Sequence, residues 1–242
     1  MTTIVIKRAL LVLATAAALL AQPKSTSLPR TPDGKSDLSG VWAGPMLPQG
    51  MDLKNVKLPI RAGMENQFFR KATGDMMKDD PTMLCLPNGM PREVLSPFPT
   101  QILQPQGFVV IVYEYEHFTR VIPTDHRKHN PDHDPNWMGD SVGWWEGDTF
   151  VVDTVGLKEW ELDAAHDPQH WHSDKLHLQE RYTRTAADVL KLDLTIDDPK
   201  FFTAPWTMSW NMALRNDWHI MEHICEENNK EIDMLRKMQE NK

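Results

Sequence analysis

The sequence predicts an all-β protein, an antiparallel up-and-down β-barrel with one or two short helices. From about residue 108 to residue 225, apolar and polar residues alternate in segments that follow one another as hairpins, with no helical pattern between them. Such a succession favours an antiparallel meander over a layered α/β fold. A meander of seven or eight strands can close into a barrel wide enough for one small ligand.

The first 21 residues have the pattern of a secretory signal. Lys7 and Arg8 precede an apolar run over residues 9–20, and Ala16 and Ala18 supply an A-x-A cleavage pattern. The apolar run is short for a transmembrane helix, so we expect cleavage, with an uncleaved anchor as the alternative. Export predicts a periplasmic or secreted location, with no stable membrane insertion after signal cleavage.

Three regions follow from this pattern. Residues 1–21 are the predicted signal peptide, and residues 22–36, rich in proline and serine, are a predicted linker. Residues 37–242 then form a single β-barrel domain, since no repeat of fixed period and no second linker interrupts them.

The first elements of that domain are short. A strand is predicted at residues 37–42, and a helix at residues 60–73, between Pro59 and Gly74. Residues 79–99 contain five prolines and are read as a loop.

The remaining elements follow a period of two. The run Phe108–Tyr113 is rich in β-branched residues and predicts a buried strand, which residues 117–122 continue or pair with. Residues 226–242 are polar and predict a short helix. Three hairpins lie between these segments, at residues 141–145 with 149–155, 175–183 with 189–196, and 206–214 with 218–225.

The charge balance bears on the class of partner. The chain has 34 acidic residues against 26 Lys and Arg, so its net charge is −8. An acidic protein repels phosphate backbones, and we therefore expect no nucleic-acid partner. The expected partner is a small-molecule ligand or substrate.

The chain has two cysteines, Cys85 and Cys225. An even number of cysteines in an oxidising compartment predicts a disulfide between them. Two buried free thiols are the alternative.

Glu180 is the most informative ionisable residue. In the predicted strand at residues 175–183, Leu176 and Leu178 mark the inward face, and strand alternation places Glu180 and Tyr182 on that face too. A buried carboxylate requires a partner or a raised pKa. Glu180 is therefore either a general acid or base, or one half of a buried Glu–Arg or Glu–Tyr pair.

Two histidine-rich loops flank the predicted strands. They contain His129 and His172, which we predict as acid–base groups because imidazole is the natural proton carrier near neutral pH. A metal on these loops is the alternative, although the chain has no H-E-x-x-H motif and no pair of C-x-x-C motifs. Solvated polar loops remain a third interpretation.

Aromatic side chains are the predicted substrate contacts. Tyr113 and Tyr115 are placed on one face of their strand, and Trp206 and Trp210 alternate along another. They either line a cavity or fill it. Arg181 is predicted to orient the substrate or to stabilise negative charge.

Several motifs of the chain, taken together, resemble those of a family of exported, uncharacterised bacterial proteins of soil acidobacteria and proteobacteria. The clearest are T-P-D-G-K-x-D-L-S-G-x-W at residues 31–42, W-E-G-D-T at residues 145–149, and H-S and E-R-Y at residues 172–173 and 180–182. The resemblance implies export and a single domain. It also marks six family positions: His129, Glu146, Asp148, His172, Glu180 and Arg181. The chain departs from the family at Asp140, where histidine is usual.

The opening Gly40-Val41-Trp42 is also similar to the G-x-W start of lipocalin-type barrels. This likeness implies a lipocalin-like barrel, which agrees with the meander predicted from the alternation.

The sequence thus leads to one functional hypothesis and two alternatives. The leading one is an exported β-barrel enzyme of the isomerase, cyclase or lyase type, acting on a small, largely apolar organic molecule. It would use acid–base chemistry without a cofactor, through His129, His172 and Glu180. The alternatives are a non-catalytic binding protein of the lipocalin type and a histidine-ligated metal enzyme.

Overall fold

The computed structural model describes residues 27–45, 51–53 and 56–227, and Lys237. The predicted signal peptide and almost all of the predicted C-terminal helix lie outside the described residues.

The described residues form twelve strands and a few short helices, which confirms the all-β prediction. The α-helices are α1 (Glu65–Phe68) and α2 (Met76–Asp79), and 3-10 turns lie at Pro81–Leu84 and Tyr115–His117. The strands are β1 (Gly40–Trp42), β2 (Phe69–Arg70), β3 (Thr100–Leu103), β4 (Phe108–Tyr113), β5 (Thr119–Pro123), β6 (Asp140–Glu146), β7 (Thr149–Val155), β8 (Trp160–Glu161), β9 (Gln169–His172), β10 (His177–Ala186), β11 (Val189–Asp197) and β12 (Trp206–Ala213).

These strands form three antiparallel sheets. A five-stranded sheet has the order β12-β11-β10-β7-β6, a four-stranded sheet β1-β3-β4-β5, and a three-stranded sheet β2-β9-β8. The larger sheets approach each other at both edges, since β5 lies beside β6 and an isolated bridge joins Trp42 to Leu214. No closed barrel forms among the described residues, because β5 and β6 share no ladder.

The alternation of apolar and polar residues predicted correctly which side chains of the long strands are buried. In β10, Leu178, Glu180 and Tyr182 are buried and lie opposite Ile196, Leu194 and Leu192 of β11, which are buried too. The strand predicted at residues 108–113 is β4, and the first two predicted hairpins are β6–β7 and β10–β11.

The predicted helix at residues 60–73 is wrong in most of its length. Its first residue, Ile60, forms a bridge with Phe202, and Phe69 and Arg70 pair with His170 and Gln169 in the small sheet. Helix remains only at Glu65–Phe68, and pairing with distant segments takes up the residues at position 60 and in β2.

The second arm of the third hairpin is also wrong. Residues 218–225 form no strand, because the backbone N–H groups of Met221 and His223 bond to the side chains of Glu114 and His117. The first arm, β12, pairs with β11 as the hairpin pattern requires for one sheet.

The predicted disulfide is confirmed. Cys85 and Cys225 are bonded, with their Cα atoms 5.6 Å apart and the two residues separated by 140 positions in the chain. The bond fastens the segment after β12 to the 3-10 turn before β3.

Candidate active site

Glu180 lies in a buried ion pair with Arg120 of β5. The guanidinium donates to Oε1 at 3.0 Å and to Oε2 at 2.7 Å, and the Tyr182 hydroxyl donates to Oε1 at 2.6 Å. Arg120 also donates to the Tyr113 hydroxyl at 3.1 Å. The expectation that Glu180 has a partner is confirmed, and the arrangement corresponds to the structural alternative. A catalytic role for Glu180 stays a prediction.

His129 lies against the five-stranded sheet that contains Glu180, on its opposite face. Its Nδ1 is 2.9 Å from Asp140 Oδ2, and its Nε2 is 2.9 Å from Asp153 Oδ2. Asp153 also contacts His177 Nε2, at 2.5 Å. Asp153 faces away from Glu180, since Glu180 pairs with Val152, the residue before Asp153 in β7, and successive side chains point to opposite faces.

His129, Asp140, Asp153 and His177 form a hydrogen-bonded group on this face, which we call the outer ion network. Its hydrogen bonds shift the pKa values of Asp153 and His177. Although partial burial opposes ionisation, hydrogen bonds from His177 and His129 lower the pKa of Asp153. The same hydrogen bond to Asp153 raises the pKa of His177. The group is an ion network on the half-exposed face of the sheet.

His172 lies apart from both, in the small sheet. It is 1% exposed, its Nδ1 is 3.0 Å from the Ser173 carbonyl oxygen, and its Nε2 has no hydrogen-bond partner among the described residues. Burial lowers the pKa of His172 to about 4, so the ring is neutral near pH 7. No hydrogen bond joins any two of the three predicted catalytic residues in the described part of the chain.

The predicted substrate contacts are also separated. Tyr113 is buried beside Arg120, whereas Tyr115 belongs to the 3-10 turn after β4 and does not continue the face of that strand. Arg181 forms an ion pair with Glu146, at 2.8 Å, on the face opposite Glu180. Trp206 and Trp210 line a different part of the surface.

Those two tryptophans border an apolar groove of about 660 Å³ along β12. The opposite wall is the segment after β1. The lining side chains that give the groove its apolar character are Ala43, Pro45, Met51, Leu53, Val56, Trp206, Met208 and Trp210.

A second, smaller cavity is lined by the ionisable residues Arg92, Tyr115 and Asp163. Its volume is about 280 Å³. We call it the Arg92 cavity, and its lining residues are Met51, Thr82, Asn88, Arg92, Leu95, Ser96, Pro97, Phe98, Tyr115, Asp163 and Ala164. Tyr115 is the one predicted site residue among them.

Arg92 is 6% exposed and is held by two carboxyl groups. Its guanidinium donates to both oxygens of Asp80, at 3.0 and 2.9 Å, and also contacts Glu161 Oε2. Burial raises the pKa of Glu161 to about 8, against the attraction of Arg92.

Asp163 forms a carboxylate–imidazole pair with His170 at the wall of this cavity. His170 Nδ1 lies 3.1 and 3.0 Å from the two carboxylate oxygens. The backbone N–H groups of Met51 and Ala165 donate to the same carboxylate, at 2.7 and 3.0 Å. The His170 ring stacks on Phe68, at 5.7 Å between centroids, which fixes its orientation.

Two further groups complete the surroundings of the cavity. Burial raises the pKa of Tyr115 to about 12, so the phenol stays protonated and can donate a hydrogen bond. Glu93 follows Arg92 in the chain and is 2% exposed, and the Asn88 side chain lies beside its carboxyl group. Burial raises the pKa of Glu93 to about 8.

The site predicted from the sequence did not include Arg92, Asp163 or His170. Residues 79–99 were predicted as a loop, and no local pattern joins Arg92 to Glu161, which is 69 positions away. One signal was present: the charged pair Arg92-Glu93 lies between apolar Met90 and Val94, so a buried segment there would have to bury charge.

Other features bear on cofactors and membranes. Within the described ranges, no group of three or more His, Cys, Asp or Glu residues is placed to hold a metal ion. No helix in the described part of the chain is long and apolar enough to cross a membrane. Comparison of the chain with known protein families, curated proteins and solved structures finds no match.

Proposed function

We propose that the protein is an enzyme that binds a small organic molecule in the Arg92 cavity and transfers a proton there without a cofactor. The observation that supports this proposal is the Asp163–His170 pair at the wall of a cavity that also presents a guanidinium and a phenol. A non-catalytic carrier has no need for such a pair beside its ligand.

The proposed roles follow from the chemistry of each group. Asp163 accepts a proton from carbon, and His170, which contacts both carboxylate oxygens, orients the carboxylate as a positioning residue. Tyr115 donates a hydrogen bond to the oxygen on which negative charge develops, and the positive charge of Arg92 stabilises that oxygen. Return of the proton to another atom completes an isomerisation, and loss of a leaving group completes an elimination.

A generic carbon acid tests this proposal without knowledge of the substrate. In 5-nitro-1,2-benzisoxazole, removal of the C3 proton by a carboxylate breaks the N–O bond and yields a coloured cyanonitrophenolate. We expect catalysis above the buffer rate, a fall of about a hundredfold in Asp163→Asn, and a smaller fall in Tyr115→Phe.

The control is Asp125→Asn, which removes an exposed carboxylate paired with Arg127 on the surface. Its rate should equal that of the wild type. Equal rates in the wild type and in folded Asp163→Asn would reject Asp163 as the base.

The second candidate function is binding of an apolar molecule in the groove along β12. It is favoured by the size of the groove and by its two tryptophans, which the sequence had singled out. A lipocalin-type barrel, with β5 beside β6 and β12 beside β1 completing the wall, belongs to this candidate.

Export to the periplasm or the exterior is part of the proposal. The Cys85–Cys225 disulfide supports it, since disulfides form and persist in oxidising compartments.

A further inference from the structure

The segment after β12 is attached to the Arg92 cavity. We call residues 218–225 the C-terminal strap. Its Met221 N–H donates to Glu114 Oε2 at 2.9 Å. His117 Nε2 lies 3.1 Å from both the Met221 carbonyl oxygen and the His223 nitrogen. The strap is therefore held by side chains of the 3-10 turn and its flank instead of by a strand ladder.

The same strap packs against two walls of the cavity. The His223 ring lies 4.6 Å from the Tyr115 ring and 5.4 Å from the Phe98 ring, between centroids. Its Nδ1 accepts a hydrogen bond from the Glu116 N–H at 3.3 Å. Tyr115 and Phe98 both line the cavity and His223 does not, so the strap contacts two lining side chains without itself lining the cavity.

The disulfide fixes the far end of the strap. Cys225 is bonded to Cys85, and its Sγ lies 3.9 Å from the carbonyl oxygen of Thr82, another lining residue. The strap thus contacts the cavity wall at Tyr115, through His223, and at Thr82, through Cys225.

The backbone is strained where the strap attaches. Cys85, Glu116 and His117 have φ values of 57°, 52° and 57°, in the left-handed region that residues with a Cβ seldom adopt. Such a conformation persists when the surrounding contacts hold it, so loss of the strap should let the turn relax.

Few apolar contacts hold the strap itself. Trp218, Met221 and Ile224 are 38%, 58% and 40% exposed. The disulfide is therefore the strongest of its attachments.

We propose that the C-terminal strap positions Tyr115 and that cleavage of the Cys85–Cys225 disulfide switches the cavity off while the sheets stay folded. This regulation rests on the function proposed for the Arg92 cavity. The reductant is an external dithiol, such as a thioredoxin-type protein. It is oxidised to its own disulfide, and its two hydrogens appear on the thiols of Cys85 and Cys225.

Hydrogen exchange on the full chain tests release of the strap directly. Wild-type protein is compared before and after treatment with dithiothreitol, and the variant Cys85→Ser/Cys225→Ser serves as the permanently open form. We expect the amides of Glu116, Met221 and His223 to exchange at least tenfold faster in both open forms. Amides of β10 and β11 should keep their protection.

The benzisoxazole assay reports on the cavity in the same samples. Reduction should lower the wild-type rate to that of Tyr115→Phe and leave the rate of the serine variant unchanged. If strap amides exchange at the same rate after reduction, or if β10 and β11 lose protection equally, the inference is overturned. If no sample is active but the strap amides respond, the proposed reaction fails and strap release by reduction stands.

Discussion

The Arg120 guanidinium holds both carboxylate oxygens of Glu180, at 3.0 and 2.7 Å, in a site where neither residue is more than 4% exposed. The pair joins β5 of the four-stranded sheet to β10 of the five-stranded sheet. This polar link across the core gives Glu180 a structural role irrespective of catalysis.

We therefore expect Glu180→Gln to lower the free energy of unfolding by about 3–5 kcal/mol, because it leaves the Arg120 charge buried without its partner. Urea unfolding measures the change. The double variant Arg120→Met/Glu180→Leu should regain much of the loss, since both charges are removed. A Glu180→Gln protein as stable as the wild type but without activity would instead support a catalytic role.

Glu93 should make the protein less stable as the pH rises. Burial raises its pKa to about 8 in the folded state, whereas a carboxyl group in the unfolded chain titrates near 4.5. Between these values the folded state binds one more proton than the unfolded state, so stability falls by up to about 1.4 kcal/mol per pH unit. Urea unfolding at several pH values should show a shallower slope in Glu93→Gln, and the wild-type slope in the exposed Glu65→Gln.

His172 should make the protein less stable as the pH falls. Its folded-state pKa is about 4, against 6.5 in a model peptide, because burial disfavours the charged ring. As the pH falls from 6.5 to 4, the unfolded state gains a proton that the folded state does not, and stability falls. His172→Leu should remove this loss in an acid titration, whereas the exposed His219→Leu should not.

The outer ion network predicts a pKa change that NMR can follow. The hydrogen bond from His177 Nε2 to Asp153 raises the pKa of His177, and that stabilisation is present at low pH and lost as the pH rises through the folded-state pKa. Asp153→Asn should bring the pKa of His177 down, as seen in the ring proton shifts. An unchanged titration curve for His177 would show that the pair does not form in solution.

The apolar groove predicts binding of a neutral dye. N-phenyl-1-naphthylamine should fluoresce on binding to the wild type, and Trp210→Ser should weaken binding roughly tenfold through lost aromatic contact. The matched control is Trp144→Ser in β6, which lies outside the groove. Equal binding by both variants would place the dye elsewhere.

Alternation along the chain was sufficient for the long hairpins. Leu178, Glu180 and Tyr182 follow one another at intervals of two, and the structure buries all three. A period of two specifies a face, and a buried carboxylate on that face requires a partner or a raised pKa, so the sequence predicted one of these two for Glu180. It could not state which arginine supplies the pair, because Arg120 lies 60 positions away.

The predictions for residues 60–73 and 218–225 failed because contacts with distant segments decide their structure. Residues 60–73 have the flanks of a helix, yet the pairing of Phe69 with His170 draws part of them into a sheet. Residues 218–225 alternate as a strand does, yet imidazole and carboxylate groups from the turn before β5 hold their backbone.

By itself, the sequence determined that the chain is an antiparallel β protein, that Cys85 and Cys225 pair, and that Glu180 is buried. The β fold and the burial of Glu180 follow from the alternation of apolar and polar residues, and the disulfide follows from the presence of two cysteines. Only the tertiary structure decided where an acid–base site could lie. Arg92, Asp163 and Tyr115 meet because loops that follow different strands converge on one cavity, and burial there then shifts the pKa values of neighbouring carboxyl groups. The convergence of the loops and the pKa shifts both depend on which distant segments pack together and exclude water. A local sequence pattern does not specify that packing.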